Sequence, residues 1–249
     1  MKKENTPIVV TSIIAGVILV IALAALLILG NQGPSNENTM NVQGTSTVRV
    51  LPDRVSVYFN VQTNGTTTAE ANDANTVIYN RLYAALISDG FNESQIGTQS
   101  FNVYPNTIYD SSSGRSKTEG FTATHMVKVE FPANETNRLS SVVDNGINAG
   151  AGVSSVDFEL SQGLQNQYKA QAIELASQDA ETKAEALAKG FGKNVGDLVS
   201  VSVDSYNYMP WVAYSAGTVA SSEVMSAVKS IQPTEQDVTA SVTAIYKLN

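Results

Sequence analysis

Few side chains in this sequence could do chemistry, and the first to weigh is the single histidine, His125. An imidazole can act as base, acid or metal ligand near neutral pH. It sits in a run where Phe121, Ala123, His125, Val127, Val129 and Phe131 alternate onto one apolar face, which is the setting of a hydrogen-bonded structural histidine. Without cysteine, thiol catalysis, disulfides and Cys-ligated metals are excluded, and a serine triad would have to route through His125. No Gly-x-Ser-x-Gly elbow, P-loop, dinucleotide fingerprint or EF-hand spacing is present. Asp157 and Glu159 share one strand face and could hold a cation, although a solvated sheet face explains them more simply. These residues predict no catalytic set, no metal and no cofactor.

The densest feature is Tyr206 to Tyr214 (YNYMPWVAY), where Tyr206, Tyr208, Met209, Trp211 and Tyr214 crowd together before the Gly/Ala/Ser-rich AGTVASSEVMSA. Aromatic and Met-rich segments are enriched at interfaces and at membrane surfaces. Either the aromatics of this loop form an interaction surface, or they fold back on their own sheet. Asn64, Asn92 and Asn134 each begin an Asn-x-Ser/Thr sequon and are the candidate glycosylation positions.

The elements that must carry these residues follow from periodicity. The organising stretch is Leu164 to Gly192, where Ala172, Ala176, Ala180, Ala184 and Ala188 recur every fourth residue. Ile173, Leu175, Leu187 and Phe191 are expected to widen this ridge into an apolar stripe, with Glu174, Asp179, Glu181, Lys183, Glu185 and Lys189 outside. A ridge of alanine lets a helix axis lie close to its neighbour, so this helix is expected flat on a β-sheet, stopped by Gly190 and Gly192.

Before it, Val42 to Val50 and Val55 to Val61 alternate as strands around Leu51-Pro52-Asp53-Arg54. Thr67 to Glu70 has capping-box spacing and opens a helix through Ala71, Ala74, Ile78, Leu82 and Ala85. Strands are predicted at Ile96 to Tyr104 and Phe121 to Phe131, a helix from Asn134 to Ala149, and a strand from Val153 to Leu160. After the long helix come strands from Leu198 towards Tyr208 and from Asp237 to Leu248. Two β-α-β-β units are visible, Val55 to Phe131 and Val153 to Leu248. Tyr104-Pro105 and Tyr208-Met209-Pro210 fall at similar places in the two and hint at duplication.

The chain is acidic, 23 Asp and Glu against 15 Lys and Arg, and carries no basic tract, which argues against nucleic acid as a partner. Residues 8–30 form an uncharged apolar run preceded by Lys2 and Lys3, and about 20 such residues cross a bilayer. The positive-inside rule then places residues 1–7 in the cytoplasm and everything beyond the lipid outside. The run lacks a convincing A-x-A site, so a retained anchor is read in preference to a cleaved signal peptide. Polar residues 31–41 make the tether, and 42–249 the extracytoplasmic domain.

Several segments resemble one family. Gly44-Thr45-Ser46-Thr47-Val48-Arg49-Val50-Leu51-Pro52-Asp53 is similar to the G-x-G-x-V-x-V-x-P-D opening of the SIMPL domain, also called the domain of unknown function 541. Gly120 to Val129 resembles its G-[YF]-x-A-x-N-x-V-x-V strand, Lys183 to Ala188 its Ala-ridge helix, and Gln232-Pro233-Thr234-Glu235 its P-G-E approach to the last strand. Ser46 and Thr234 stand where the family usually has Gly, and His125 where Asn is usual. The resemblance covers roughly Asn41 to Lys247 and implies an α+β domain of two β-α-β-β units, mainly antiparallel sheet packed by long helices. It implies envelope proteins, some serving oxidative-stress defence, that can form ring-like homo-oligomers, with no established catalytic residues to carry over.

The expectation is therefore a single-pass, non-enzymatic envelope protein acting by self-assembly or contact with an unidentified protein partner. The alternative is a ligand-binding module using the Tyr206 to Tyr214 segment. A hydrolase built on carboxylates or His125 is a distant third.

Overall fold

The computed structural model describes residues 38–111, 114–215 and 231–249. The expected cytoplasmic end, the anchor at 8–30 and most of the tether lie outside the described residues. Among those described, no helix is long and apolar enough to cross a membrane.

The described residues form eight strands and three α-helices in the order β1 (Thr39–Val50), β2 (Arg54–Gly65), α1 (Thr68–Ser88), β3 (Ile96–Asp110), β4 (Arg115–Pro132), α2 (Leu139–Ala149), β5 (Gly152–Glu159), α3 (Gln162–Gly190), β6 (Val195–Tyr208), β7 (Trp211–Ser215) and β8 (Gln236–Leu248). A 3₁₀ segment, Ala133–Arg138, replaces the first turns of the expected second helix, because Glu135 leaves helical backbone angles. The strands make a three-stranded sheet, β1-β8-β6, and a five-stranded sheet, β3-β4-β2-β5-β7. Every pairing is antiparallel. The mixed α and β class with antiparallel sheets stands. Thr39 to Asn41, expected in the tether, already pair with β8.

The five-stranded sheet packs one face on α1 and α2. Val55, Val57, Phe59 and Val61 of β2 alternate onto that face and meet Leu82 and Leu86 of α1 and Leu139, Val142 and Val143 of α2. Thr67 caps α1 by accepting from the Glu70 N–H at 3.1 Å. Its inward stripe runs through Asn75, not Ala74 as expected. The Asn75 amide donates to the Val61 and Ala123 carbonyls at 2.8 and 3.4 Å, which offsets the cost of burying it.

On the other sheet lies α3, as its alanines require. Ala172, Ala176, Ala180, Ala184 and Ala188 are all buried, against Val48, Val50, Met40 and Val42 of β1 and Val238, Ala240, Val242 and Ala244 of β8. Contact is close enough that a Cβ on Gly44 would lie 1.9 Å from the Ala176 carbonyl oxygen and 2.5 Å from the Ala180 nitrogen. Such an approach leaves no room for larger residues beneath the helix. The expected widening of the stripe holds only at Ile173, which is partly buried against the same core, whereas Leu175 and Leu187 are 40 % and 41 % exposed and Phe191 is 77 % exposed.

The two units are arranged in a way the chain order hides. In the first unit, β4 lies between β2 and β3; in the second, β8 lies between β6 and β1. The first strand of the second unit is thus β1, not β5, and β5 pairs with β2 in the other sheet. One junction ties the sheets together. Asp53 accepts from the Ser161 N–H at 2.6 Å, the Tyr208 hydroxyl accepts from the Leu160 N–H at 2.6 Å, and the Gln236 amide donates to the Phe158 carbonyl at 2.9 Å. Three distant segments thereby hold the turn from β5 into α3.

Candidate functional site

The aromatic segment is not one loop. Tyr206 and Tyr208 end β6 in the three-stranded sheet, Met209-Pro210 turns, and Trp211 and Tyr214 belong to β7 in the five-stranded sheet. A short strand had no periodic signal because β7 is only five residues long. Tyr206 lies under the Lys169 ammonium, 5.0 Å from the ring centroid, and Tyr208 is held by Leu160. Burial pushes both phenols above their ordinary titration range, Tyr208 helped further by nearby Glu159. Trp211 stacks on Phe158 with centroids 5.2 Å apart, and Tyr214 packs on the same core. Of the five candidates only Met209, 71 % exposed, faces solvent freely.

Beside this turn lies an open cleft of about 360 Å³ between Met209, Pro210 and Trp211 on one side and Thr234 to Asp237 on the other. Its floor is Gln236, which the sequence reading missed because a glutamine before a strand carries no distinctive pattern. Gln236 is buried, its nitrogen is committed to Phe158, and its amide oxygen has no partner. Glu235 and Asp237 stand at the rim, Asp237 3.6 Å from Arg49. The cleft can accept hydrogen bonds and offers an indole edge.

His125 is placed as its strand pattern predicts. It is buried on β4 between Tyr79 and Phe101, with ring centroids at 4.7 and 5.4 Å, and shares a hydrogen bond with Thr98 Oγ1 at 2.8 Å. Desolvation holds its pKa below the ordinary value. Its contacts among the described residues are the two rings and the Thr98 hydroxyl, the surroundings of a packed ring.

Asp157 and Glu159 do share a face, the one turned away from α1 and α2. Glu159 is occupied by Lys128 Nζ at 3.4 Å and by the Tyr58 hydroxyl at 3.2 Å, and Lys128 also reaches Glu130 at 2.9 Å. Asp157 titrates above its ordinary range, chiefly through burial. Among the described residues no group of three or more His, Cys, Asp or Glu side chains is placed to hold a metal. Asn64, Asn92 and Asn134 are all exposed; Asn64 already accepts from Thr122 Oγ1 at 2.6 Å.

The two edges of the three-stranded sheet differ. Along β1 two outward backbone groups near its middle are taken by α3: the Thr45 N–H donates to Asp179 at 2.8 Å, Lys183 donates to the Gln43 carbonyl at 3.1 Å, and these two side chains pair at 2.6 Å. Asp179 is held below its usual range, first by Lys183 and then by Thr45. Opposite, β6 has no neighbour on its outer side among the described residues. Its Leu198, Val201 and Val203 stand across from Tyr246, Ala244 and Val242 on the helix side of the sheet, yet are 52 %, 55 % and 50 % exposed. The other sheet also has an open edge at β3, with Phe101, Tyr104, Ile108 and Tyr109 exposed.

Comparison with known proteins agrees with the architecture. The model of the SIMPL family, described as a protein of unknown function (DUF541), matches residues 40–246. The uncharacterized protein YggE of Edwardsiella ictaluri (strain 93-146) is 26 % identical over 199 residues, covering 77 % of this chain and 81 % of that protein. YggE of Escherichia coli (strain K12), likewise uncharacterized, is 28 % identical over 199 residues, covering 77 % of this chain and 78 % of its own length. With the matched region spanning both sheets and the three described helices, the chain belongs to the SIMPL (DUF541) family.

Proposed function

We propose that this protein is a membrane-anchored, extracytoplasmic member of its family that works without catalysing a reaction, by associating with further copies of itself. The observation that carries the reading is the contrast between the two edges of one sheet. Asp179 and Lys183 of α3 close β1, whereas β6 keeps both its backbone edge and a row of half-exposed aliphatic side chains. An open apolar edge is a template for another strand. The exposed edge of β3, topologically equivalent to β6 in the other unit, supplies a partner in the second copy. Three register shifts in β6 bend the strand and restrict which partner fits.

The apolar run at 8–30 behind Lys2 and Lys3 supports the anchor and the orientation. The resemblance attaches protection of the envelope under oxidative stress, which peroxide survival of cells lacking the protein would test. The structure also selects the right perturbation for assembly. Replacing Tyr208 would break the hydrogen bond to Leu160, whereas Val201→Lys changes only an exposed edge position. Light scattering of the full chain in detergent is expected to give a multiple of the protomer mass that Val201→Lys reduces to one protomer. A monomeric parent across the micromolar range would refute self-association.

A second reading, binding of a small hydrogen-bond donor, is favoured by the unpartnered amide oxygen of Gln236 beneath the Trp211 cleft. Trp211 is the only tryptophan, so its fluorescence reports the site directly. Saturable quenching by a sugar or an organic amine, abolished in Gln236→Leu, would establish that reading.

A further inference from the structure

The geometry points to the turn Lys189-Gly190-Phe191-Gly192-Lys193 as a contact with the surface of the bilayer. This inference rests on the anchor reading of residues 8–30. Phe191 is the most exposed large apolar side chain among the described residues, at 77 %. It is presented deliberately by the backbone: Gly192 takes a left-handed φ of 68°, and the Lys193 N–H returns to the Ala188 carbonyl at 2.9 Å. An aromatic ring between two lysines, all exposed, matches the pattern of side chains that settle at the headgroup level, the ring among the upper acyl chains and the ammonium groups on phosphates. Beside the turn, Lys189 and Lys193 line an open trough of about 500 Å³ together with Glu185, Ala188, Asn194 and Val195.

Position in the fold selects lipid as the occupant. The Asn194 and Asn249 backbones exchange hydrogen bonds at 3.0 Å, and the Leu248 N–H donates to the Asn38 carbonyl at 2.7 Å. The turn therefore stands about two strand spacings, roughly 10 Å, from the point where the chain leaves the domain towards the anchor. Only residues 31–38 separate that point from the apolar run, a reach of at most about 29 Å when fully extended. The end of the domain that carries Phe191 is thus the end nearest the membrane. Glu185 and Asp197 share this end, so the lysines act locally on phosphates and the ring supplies the apolar contact.

The absence of cysteine makes a clean test possible in the full chain reconstituted into vesicles of mixed zwitterionic and anionic phospholipid. An environment-sensitive fluorophore is placed at Gly190→Cys, where a side chain meets nothing within 4 Å, at Val212→Cys as a remote exposed position, and at Leu19→Cys within the apolar run. Lipids carrying a shallow quencher are expected to quench the label at 190 well beyond that at 212, and Phe191→Ser or Lys189→Glu with Lys193→Glu should remove the excess. Quenching at 190 no greater than at 212, with the label at 19 quenched by a deep probe, overturns the contact while leaving the anchor intact. An unquenched label at 19 overturns the anchor and the contact with it. Self-quenching at 190 that disappears on diluting the protein in lipid assigns Phe191 to a second copy and overturns the proposal.

Discussion

Gly44→Ala is expected to be among the most damaging single-methyl additions this chain could receive. The new Cβ would lie 1.9 Å from the Ala176 carbonyl oxygen, 2.5 Å from the Ala180 nitrogen and 2.8 Å from the Ala180 Cβ. Two of these atoms are helix backbone, so no rotamer change relieves the clash. The helix must retreat from β1 by over an ångström, loosening the buried alanines and the Asp179 and Lys183 contacts that close the edge. Overpacking typically costs about 1–3 kcal/mol, and a clash against backbone on both sides belongs at the upper end, about 3 kcal/mol. For a domain of this size that is a fall in Tm of roughly 6–12 °C. Thermal unfolding of the full chain in detergent, followed by circular dichroism, reads the shift. Gly163→Ala is the control: it lies in the first turn of α3 with nothing within 4 Å, so it should be neutral or stabilising by up to about 1 kcal/mol. A Gly44→Ala protein melting within about 2 °C of its parent, a change of under about 1 kcal/mol, would refute the close approach of helix and sheet.

Tyr208→Phe should cost about 1–3 kcal/mol, because the part-buried Leu160 N–H loses its acceptor at 2.6 Å; an unchanged Tm would mean that water replaces the hydroxyl. His125 titrates below its ordinary value of 6.5 in the fold, so the unfolded chain binds the proton more readily. Stability is then full above pH 6.5 and falls as pH drops through and below it, and melting between pH 7.5 and 5.5 should be flatter in His125→Gln. Asp157 has the opposite sign of shift to a salt-bridged carboxylate: its raised pKa removes stability as pH climbs past the ordinary carboxylate range. Asp157→Asn is therefore expected to melt higher than the parent at pH 7, and a lower Tm would refute the desolvation argument. Joint replacement of Asp179 and Lys183 by Ala uncovers β1, and light scattering should register new, larger aggregates.

What the sequence alone determined is local periodicity and its consequences. A four-residue alanine repeat can only be a helix lying close on a neighbour, and it is one; alternating Val and Phe in β2 and β4 placed His125 on an apolar face, where it packs between rings. The family could be named from such stretches because they stand in a fixed order. Pairing was decided only in three dimensions. β1 completes the second unit and β5 leaves it, since antiparallel registers are satisfied equally well by strands far apart in sequence. The same holds for the surfaces. Phe191 is exposed because the helix ends at Gly190 and the chain turns back through Gly192, and Gln236 is buried where its amide donates to the Phe158 carbonyl of another strand. Tyr206 and Trp211 are close in the sequence, yet they serve different sheets, because the chain turns at Met209-Pro210 and crosses from one to the other. Composition sets which side chains are available for contact, but only the packing of helix on sheet decides which of them remain in reach of a partner.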